Sequence, residues 1–193
     1  MAREIFAGVD IETTGTKVGK HGLIQIGIST EDKFEFVSDV NPGAVQIEEE
    51  AMGINGFTPE RIAKAPSTEA VAQNLFNALQ EWYGGERVRI IAVGWNVGSF
   101  DLPFIDLAFP EITSKFFSYR TCDLNAVCFT LDRARKGLKG VMRYDGLKKD
   151  AKRYAEEVLA AKGVGAQWHD ALYDAKAGML AWERLRQKVM VND

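Results

Sequence analysis

Three short segments within the first forty residues alternate apolar and polar side chains, and this alternation limits the fold more than any other feature of the chain. Residues 4–11 carry Ile5, Ala7, Val9 and Ile11, residues 23–28 carry Ile24, Ile26 and Ile28, and residues 34–40 carry Phe34, Phe36 and Val40. A period of two belongs to strands, whose successive side chains point to opposite faces. Gly15, Gly19 and Gly22 mark the loop between the first two segments, and Asn41-Pro42-Gly43 punctuates the end of the third. The expectation is an antiparallel meander.

The period then lengthens. Over Thr68–Tyr83, Val71, Leu75, Leu79 and Trp82 fall on one helical face, and Gly84-Gly85 stops the helix. Residues 88–93 are mostly apolar, as in a central strand buried on both faces. Pro103 places a helix start close to Asp101. Residues 147–162 form a further helix with Leu147, Ala151, Tyr154, Val158 and Leu159 inward. Residues 171–188 form the last, with Leu172, Ala175, Met179, Trp182, Leu185 and Val189 on its core side. Strands first, then a strand among helices, indicate an α/β sheet covered by helices. With 193 residues, 46% of them apolar, residues 1–193 are expected to form a single domain with one core.

Composition removes other classes. A net charge of −3 with charged residues at 26% does not describe a disordered chain. No apolar run reaches the roughly 18 residues of a membrane span. The N-terminus lacks the apolar stretch of a signal peptide, so a cytoplasmic protein without membrane contact is expected. Cys122 and Cys128 are the only cysteines. Two thiols make neither a disulfide framework nor a zinc site.

Three acidic segments carry the chemistry. Residues 8–15 read GVDIETTG, and Asp10 and Glu12, two apart on a strand, point to one face. Adjacent carboxylates tolerate each other when a cation lies between them or when one keeps a proton. Taken alone, such a pair is more often an exposed strand end. Residues 94–104 read GWNVGSFDLPF; there Asp101 is equally a helix cap and Asn96 equally a turn residue. Residues 169–174 read HDALYD; there His169 is one of two histidines, and Asp174 also suits the dipole of a first helical turn.

Together, in this order, the three segments resemble the DEDD exonucleases, of the DnaQ-like type with a histidine in the third motif (DEDDh). Asp10 and Glu12 match the first motif, Asp101 the second, and His169 and Asp174 the third. Asn41-Pro42 and the stretch from Met52 to Glu60 resemble the family's connection between third strand and first helix. The likeness runs from about residue 4 to 187. Trp95 stands where many relatives have histidine, and Asn96 and Phe100 are separated by three residues where many have two. The tyrosine form of motif three does not fit, because Ala177 lies four positions after Tyr173.

The resemblance implies a ribonuclease H-like fold, with a mixed five-stranded sheet (the meander plus parallel strands) flanked by helices. It implies a metal-dependent 3′-5′ exonuclease that releases nucleoside monophosphates from single-stranded or frayed 3′ ends. Two Mg²⁺ or Mn²⁺ ions, about 4 Å apart, would clamp the attacking and leaving oxygens. By the same resemblance Asp10 would bridge both ions, Glu12 and Asp174 would complete one site, and Asp101 would serve the other. His169 would take the proton of the attacking water. Ile11, Thr13 and Thr14 with Asn96 and Phe100 would bind the terminal nucleoside. His169 and Asp174 are five positions apart, about 140° on an ideal helix, and cannot converge from one helix. His169 is therefore expected on the preceding loop, swinging in when substrate binds.

Residues 133–153 hold nine basic side chains, Arg133, Arg135, Lys136, Lys139, Arg143, Lys148, Lys149, Lys152 and Arg153, against Asp145 and Asp150. The segment is +7 and the remaining residues together −10, a distribution suited to tracking a phosphate backbone. Motif two looks more like that of DNA-acting members, so DNA is favoured over RNA. An exoribonuclease of the same family, a non-cleaving end-binding module and a different two-metal enzyme on this scaffold are the alternatives. A homodimer and a DNA polymerase or replication and repair partner are left open.

Overall fold

The computed structural model describes residues 2–136 and 145–190. The chain opens with the expected meander: β1 (Arg3–Thr13), β2 (Leu23–Thr30) and β3 (Glu35–Asp39). Two short helices, α1 (Glu49–Asn55) and α2 (Pro59–Lys64), lead to α3 (Thr68–Tyr83), and β4 (Val88–Gly94) follows. Then come α4 (Asp101–Ala108), α5 (Pro110–Phe116), β5 (Phe117–Asp123), α6 (Leu124–Lys136), α7 (Asp145–Ala161) and α8 (Ala171–Met190). The five strands lie in the order β3-β2-β1-β4-β5. β1 pairs antiparallel with β2 and parallel with β4; β2 pairs antiparallel with β3, and β4 parallel with β5. This is the mixed sheet of the expected fold. Among the described residues no helix is long and apolar enough to cross a membrane.

The period-two residues of β1, namely Ile5, Ala7, Val9 and Ile11, enter the larger core with Val71, Leu75 and Leu79 of α3 and Phe104, Ile105 and Ile112 of α4 and α5. The opposite face is covered by α8, with α6 and α7 beyond it; Val93, Leu124, Ala151, Ala181 and Leu185 form the core there. Both faces of β1, β2 and β4 are thereby covered, which is why these strands are almost wholly buried.

Three expected core assignments are corrected. Trp82 is 50% exposed, and Tyr83 takes the buried place, continuing the i+4 row of Val71, Leu75 and Leu79. The Tyr83 hydroxyl donates to Asp32 Oδ1 at 3.3 Å, which supplies the partner a buried tyrosine requires. On α7 the buried positions are Ala151, Ala155 and Leu159, Leu147 packs half-buried against the core as expected, and Tyr154 and Val158 are only partly covered. On α8 the buried positions are mainly alanines (Ala171, Ala175, Ala177, Ala181) with Tyr173 and Leu185; Met179 and Trp182 pack half-buried against the core, as expected, and Leu172 is only half-buried. The Val189 side chain lies outside the described residues. Small residues face inward because the helix backbone approaches the sheet closely.

Candidate active site

Two sequence choices set that close approach. A Cβ on Gly8 would lie 1.9 Å from the Ala175 carbonyl oxygen, and one on Gly27 would lie 2.2 Å from the carbonyl of Ala171. No side chain larger than hydrogen fits at either position. Gly8, Asp10 and Glu12 share one face of β1 by period two. Across the antiparallel pair Asp10 is opposite Gly27 and Glu12 opposite Gln25, so these residues share that face. The first turns of α8 therefore lie against the backbone beside both carboxylates, and Asp174 stands in the first of those turns.

The start of α8 is held by one side chain near in sequence and one distant. Asp170 Oδ1 accepts from the Tyr173 N–H at 3.1 Å, and Gln25 Oε1 accepts from the Ala171 N–H at 2.8 Å. Gln25 Nε2 donates to Asp39 Oδ1 at 2.9 Å. The Arg61 guanidinium closes the chain with a fork onto both Asp39 oxygens at 2.7 and 2.8 Å.

His169 precedes α8 on a loop, as expected. Its φ of 69° lies in the left-handed region, and its backbone N–H donates to Asp174 Oδ2 at 2.8 Å. Its Nδ1 is 3.8 Å from Glu12 Oε1, with the His169 side chain 51% exposed and that of Glu12 10%. One ligand atom from each of Glu12, His169 and Asp174 lies within 4.8 Å of the others. Asp10 lines the same cleft. Asp101, the buried first residue of α4, arrives from β4, which parallel pairing brings to the same sheet edge as β1.

Crowding shows in the proton affinities. Burial, then the charges of Asp174 and Asp101, pushes Glu12 up to about 8. Burial pushes Asp101 up to about 7 against the pull of backbone N–H groups. Asp10 lies well above the usual carboxylate range, through burial first and then the charges of Asp101, Asp174 and Glu12, with Lys152 opposing. Asp174 is raised by burial, against the His169 N–H and the charges of His169 and Lys152. Asp174 Oδ1 is buried with no hydrogen-bond partner. Carboxyls that retain protons for want of countercharge, one with an unused oxygen, fit a hard divalent cation. Asp10, Glu12, Asp101 and Asp174 are the residues that would hold it.

Two pockets flank the carboxylates. One, of about 320 Å³, is lined by Ile11, Glu12, Thr13 and Phe100 and walled by Ala51, Ile54 and Asn55 of α1. The other, of about 510 Å³, is lined by Asp10, Glu12, His169 and Asp174 with Trp95, Lys152 and Trp168. Of the five residues expected around a terminal nucleoside, Ile11, Thr13 and Phe100 line the first pocket. Thr14 and Asn96 are not among its lining residues. The Thr14 side chain is buried, donates to the Gln46 carbonyl at 2.6 Å and accepts from the Gly22 N–H at 3.0 Å. Asn96 turns the chain with φ 63°, and its Oδ1 accepts from Asn125 Nδ2 at 2.7 Å.

Asn55, Gln25 and Trp168 are not among the residues the sequence places at the site, whereas Lys152 is one of the nine basic side chains of residues 133–153. Asn55 Nδ2 donates to the Thr13 carbonyl at 3.1 Å, and its Oδ1 accepts from the Phe57 N–H at 3.0 Å. It sits in the stretch from Met52 to Glu60 that carried the family likeness, which was the available signal. Of the basic segment, Lys152 lines the second pocket and Lys148 lies over the Trp95 ring, while Arg153 pairs with Asp150 and Glu157. Lys139 and Arg143, with the side chains of Arg135 and Lys136, lie outside the described residues.

Comparison with known proteins gives consistent matches. The family model RNase_T, described as Exonuclease, matches residues 8–181. An Escherichia coli protein named 3′-5′ DNA exonuclease Cap18 is 26% identical over 182 residues, covering 90% of this chain and 87% of that protein. The fold matches a zinc-bound E. coli ExoI–single-stranded DNA complex with a TM-score of 0.65 at 16% identity, over 98% of this chain and 42% of that one. It matches the nuclease domain of 3′hExo, a DEDDh family member bound to rAMP, with a TM-score of 0.54 at 14% identity, over 95% and 92% of the two chains. This chain thus spans less than half the length of ExoI.

Proposed function

Because the chain belongs to the exonuclease family, as a 3′-5′ exonuclease of DnaQ-like, DEDDh type, we propose that it degrades single-stranded or frayed DNA 3′ ends, releasing nucleoside monophosphates. The observation that carries this reading is the convergence of Glu12, His169 and Asp174 on one point beside half-buried Asp10 and buried Asp101. Two Mg²⁺ or Mn²⁺ ions held there would polarise the scissile phosphate and neutralise developing charge. The 320 Å³ pocket receives the terminal nucleoside, with Ile11 and Phe100 against the base. Thr14 and Asn96 act on that pocket indirectly, by fixing the loops that wall it. His169 swings from its exposed position to take the attacking water's proton at its imidazole, a role that typically contributes roughly 10²–10⁴-fold. Asp174, by accepting from the His169 N–H, keeps the loop in reach.

The preference for DNA is supported by the relative named a DNA exonuclease and by neighbours solved with single-stranded DNA. The rAMP-bound neighbour supports the second reading, an exoribonuclease. Both cysteines are unpaired, which accords with a cytoplasmic setting. We read the whole chain as one exonuclease domain.

The test is a time course on 5′-labelled and 3′-labelled 20-mers, as single-stranded DNA and as RNA, with Mg²⁺, with Mn²⁺ and with chelator. The expected result is a 5′-labelled DNA ladder that shortens one nucleotide at a time and only with metal. A faster RNA ladder replaces the substrate assignment. No cleavage of either polymer by folded protein sinks the enzyme reading.

A further inference from the structure

We propose that Lys152, held against the rings of Trp95 and Trp168, binds the first internucleotide phosphate upstream of the scissile one. This rests on the nuclease reading above and adds a subsite to it. Val93 points to the α8 face of β4, and Trp95, two residues on, follows it toward α7. Lys152 Nζ lies 5.8 Å from the centre of the Trp95 ring and 4.8 Å from that of Trp168. Lys148 Nζ lies 4.9 Å from the Trp95 ring and donates to Asn125 Oδ1 at 3.3 Å. The Trp168 Nε1–H donates to Glu156 Oε1 at 2.7 Å, which fixes the second ring.

Lys152 differs from its neighbour Arg153, which has two carboxylate partners. Among the described residues Lys152 has no ion pair, although it lines a pocket shared with Asp10, Glu12 and Asp174. Its charge nevertheless reaches Asp10 and Asp174 and draws both carboxyls down against burial. An ammonium kept on aromatic faces at the mouth of an anionic cleft retains its donors for an arriving anion. Position identifies which anion. The smaller pocket is walled by α1 and takes one nucleoside, so the strand leaves on the other side of Glu12, through the 510 Å³ cleft. The next phosphodiester along that path meets Lys152. Base stacking on Trp95 is less suited, because two lysines already lie over its ring.

The experiment compares wild type, Lys152→Met and Lys152→Arg on two substrates. One is a 5′-labelled dT 20-mer. The other is thymidine 5′-p-nitrophenyl phosphate, which has a scissile phosphate and no upstream one. The expected loss of kcat/KM in Lys152→Met is at least tenfold greater on the 20-mer than on the ester, with Lys152→Arg recovering most of the difference. In chelator, the slope of log affinity for the 20-mer against log salt falls by about 0.7 in Lys152→Met, the value for one phosphate contact on a single strand. Equal losses on both substrates, or an unchanged salt slope, overturn the assignment. A wild type that cleaves neither substrate instead overturns the nuclease reading, and the salt slope in chelator still decides Lys152.

Discussion

The two flanks of the acidic centre are built differently. On the α1 side, Thr13, Thr14, His21 and Asn55 are tied to backbone by their side chains. The Thr13 hydroxyl donates to the Gly15 carbonyl at 2.8 Å, Thr14 and Asn55 bridge loops, and buried His21 accepts the Lys17 N–H at 2.9 Å beneath Gly15. On the α7 side, His169 is half exposed in a left-handed conformation, and Lys148 and Lys152 lie on rings instead of carboxylates. Hydrogen bonds to backbone fix a wall at one shape, whereas ring faces and a hydrated ammonium tolerate many. In the proposed function, the fixed flank measures a strand terminus and the tolerant flank passes whatever sequence follows.

The largest effect expected falls on neither flank but between them. Asp10→Asn lowers turnover by about 10³-fold or more, read in single-turnover cleavage of the labelled DNA. A smaller loss means that the two flanks meet elsewhere. On the tolerant flank, His169→Ala costs roughly 10²–10⁴-fold in the same assay; under tenfold removes His169 from the role of base. Gly27→Ala drives a methyl group into the Ala171 carbonyl and destabilises by about 1–3 kcal/mol or more, measured by urea unfolding. Thr14→Val strips partners from the Gly22 N–H and the Gln46 carbonyl on the fixed flank, at about 1–3 kcal/mol. A stability change near zero contradicts the rigidity assigned to that side.

The smallest effect is graded with pH. Glu12, Asp10, Asp101 and Asp174 all hold protons more tightly in the fold than in the unfolded chain. Their contribution is complete below the ordinary carboxylate range near 4 and declines as pH rises through about 7 to 8. In chelator the melting temperature falls between pH 5 and 8. Millimolar Mg²⁺ reduces that fall, because a cation takes the place of the protons. Parallel curves with and without Mg²⁺ argue against cation binding by these carboxyls.

The meander, the buried fourth strand and the order of the three acidic motifs are legible in sequence, because periodicity and spacing are local properties. β5 carries no strand signal of its own: its FSYRTCD has three exposed residues in the middle and no clean alternation. Trp82 and Tyr83 sit side by side at a helix end; Tyr83 continues the i+4 row, and its hydroxyl finds a partner in the distant Asp32. Gly8 and Gly27 look like ordinary strand residues until α8 is laid across them. Gln25 falls in a strand whose apolar pattern explains it well enough, yet its amide joins Asp39 to the start of α8. For the glycines and Gln25 the deciding contact crosses tens of residues or more, where no short-range pattern reaches.

The hydrogen bond from the Ala171 amide to Gln25 also sets a clock. That amide is buried at the seam between α8 and the sheet, and its exchange with deuterated solvent requires the seam to part. The seam joins Gly8 and Gly27 to the helix backbone, so its opening is close to the opening of the whole domain. Two residues away, the exposed His169 ring samples its rotamers in picoseconds to nanoseconds. A carboxylate array that lasts as long as the fold thus stands beside a ring that, as the proposed base, would re-aim many times within one turnover.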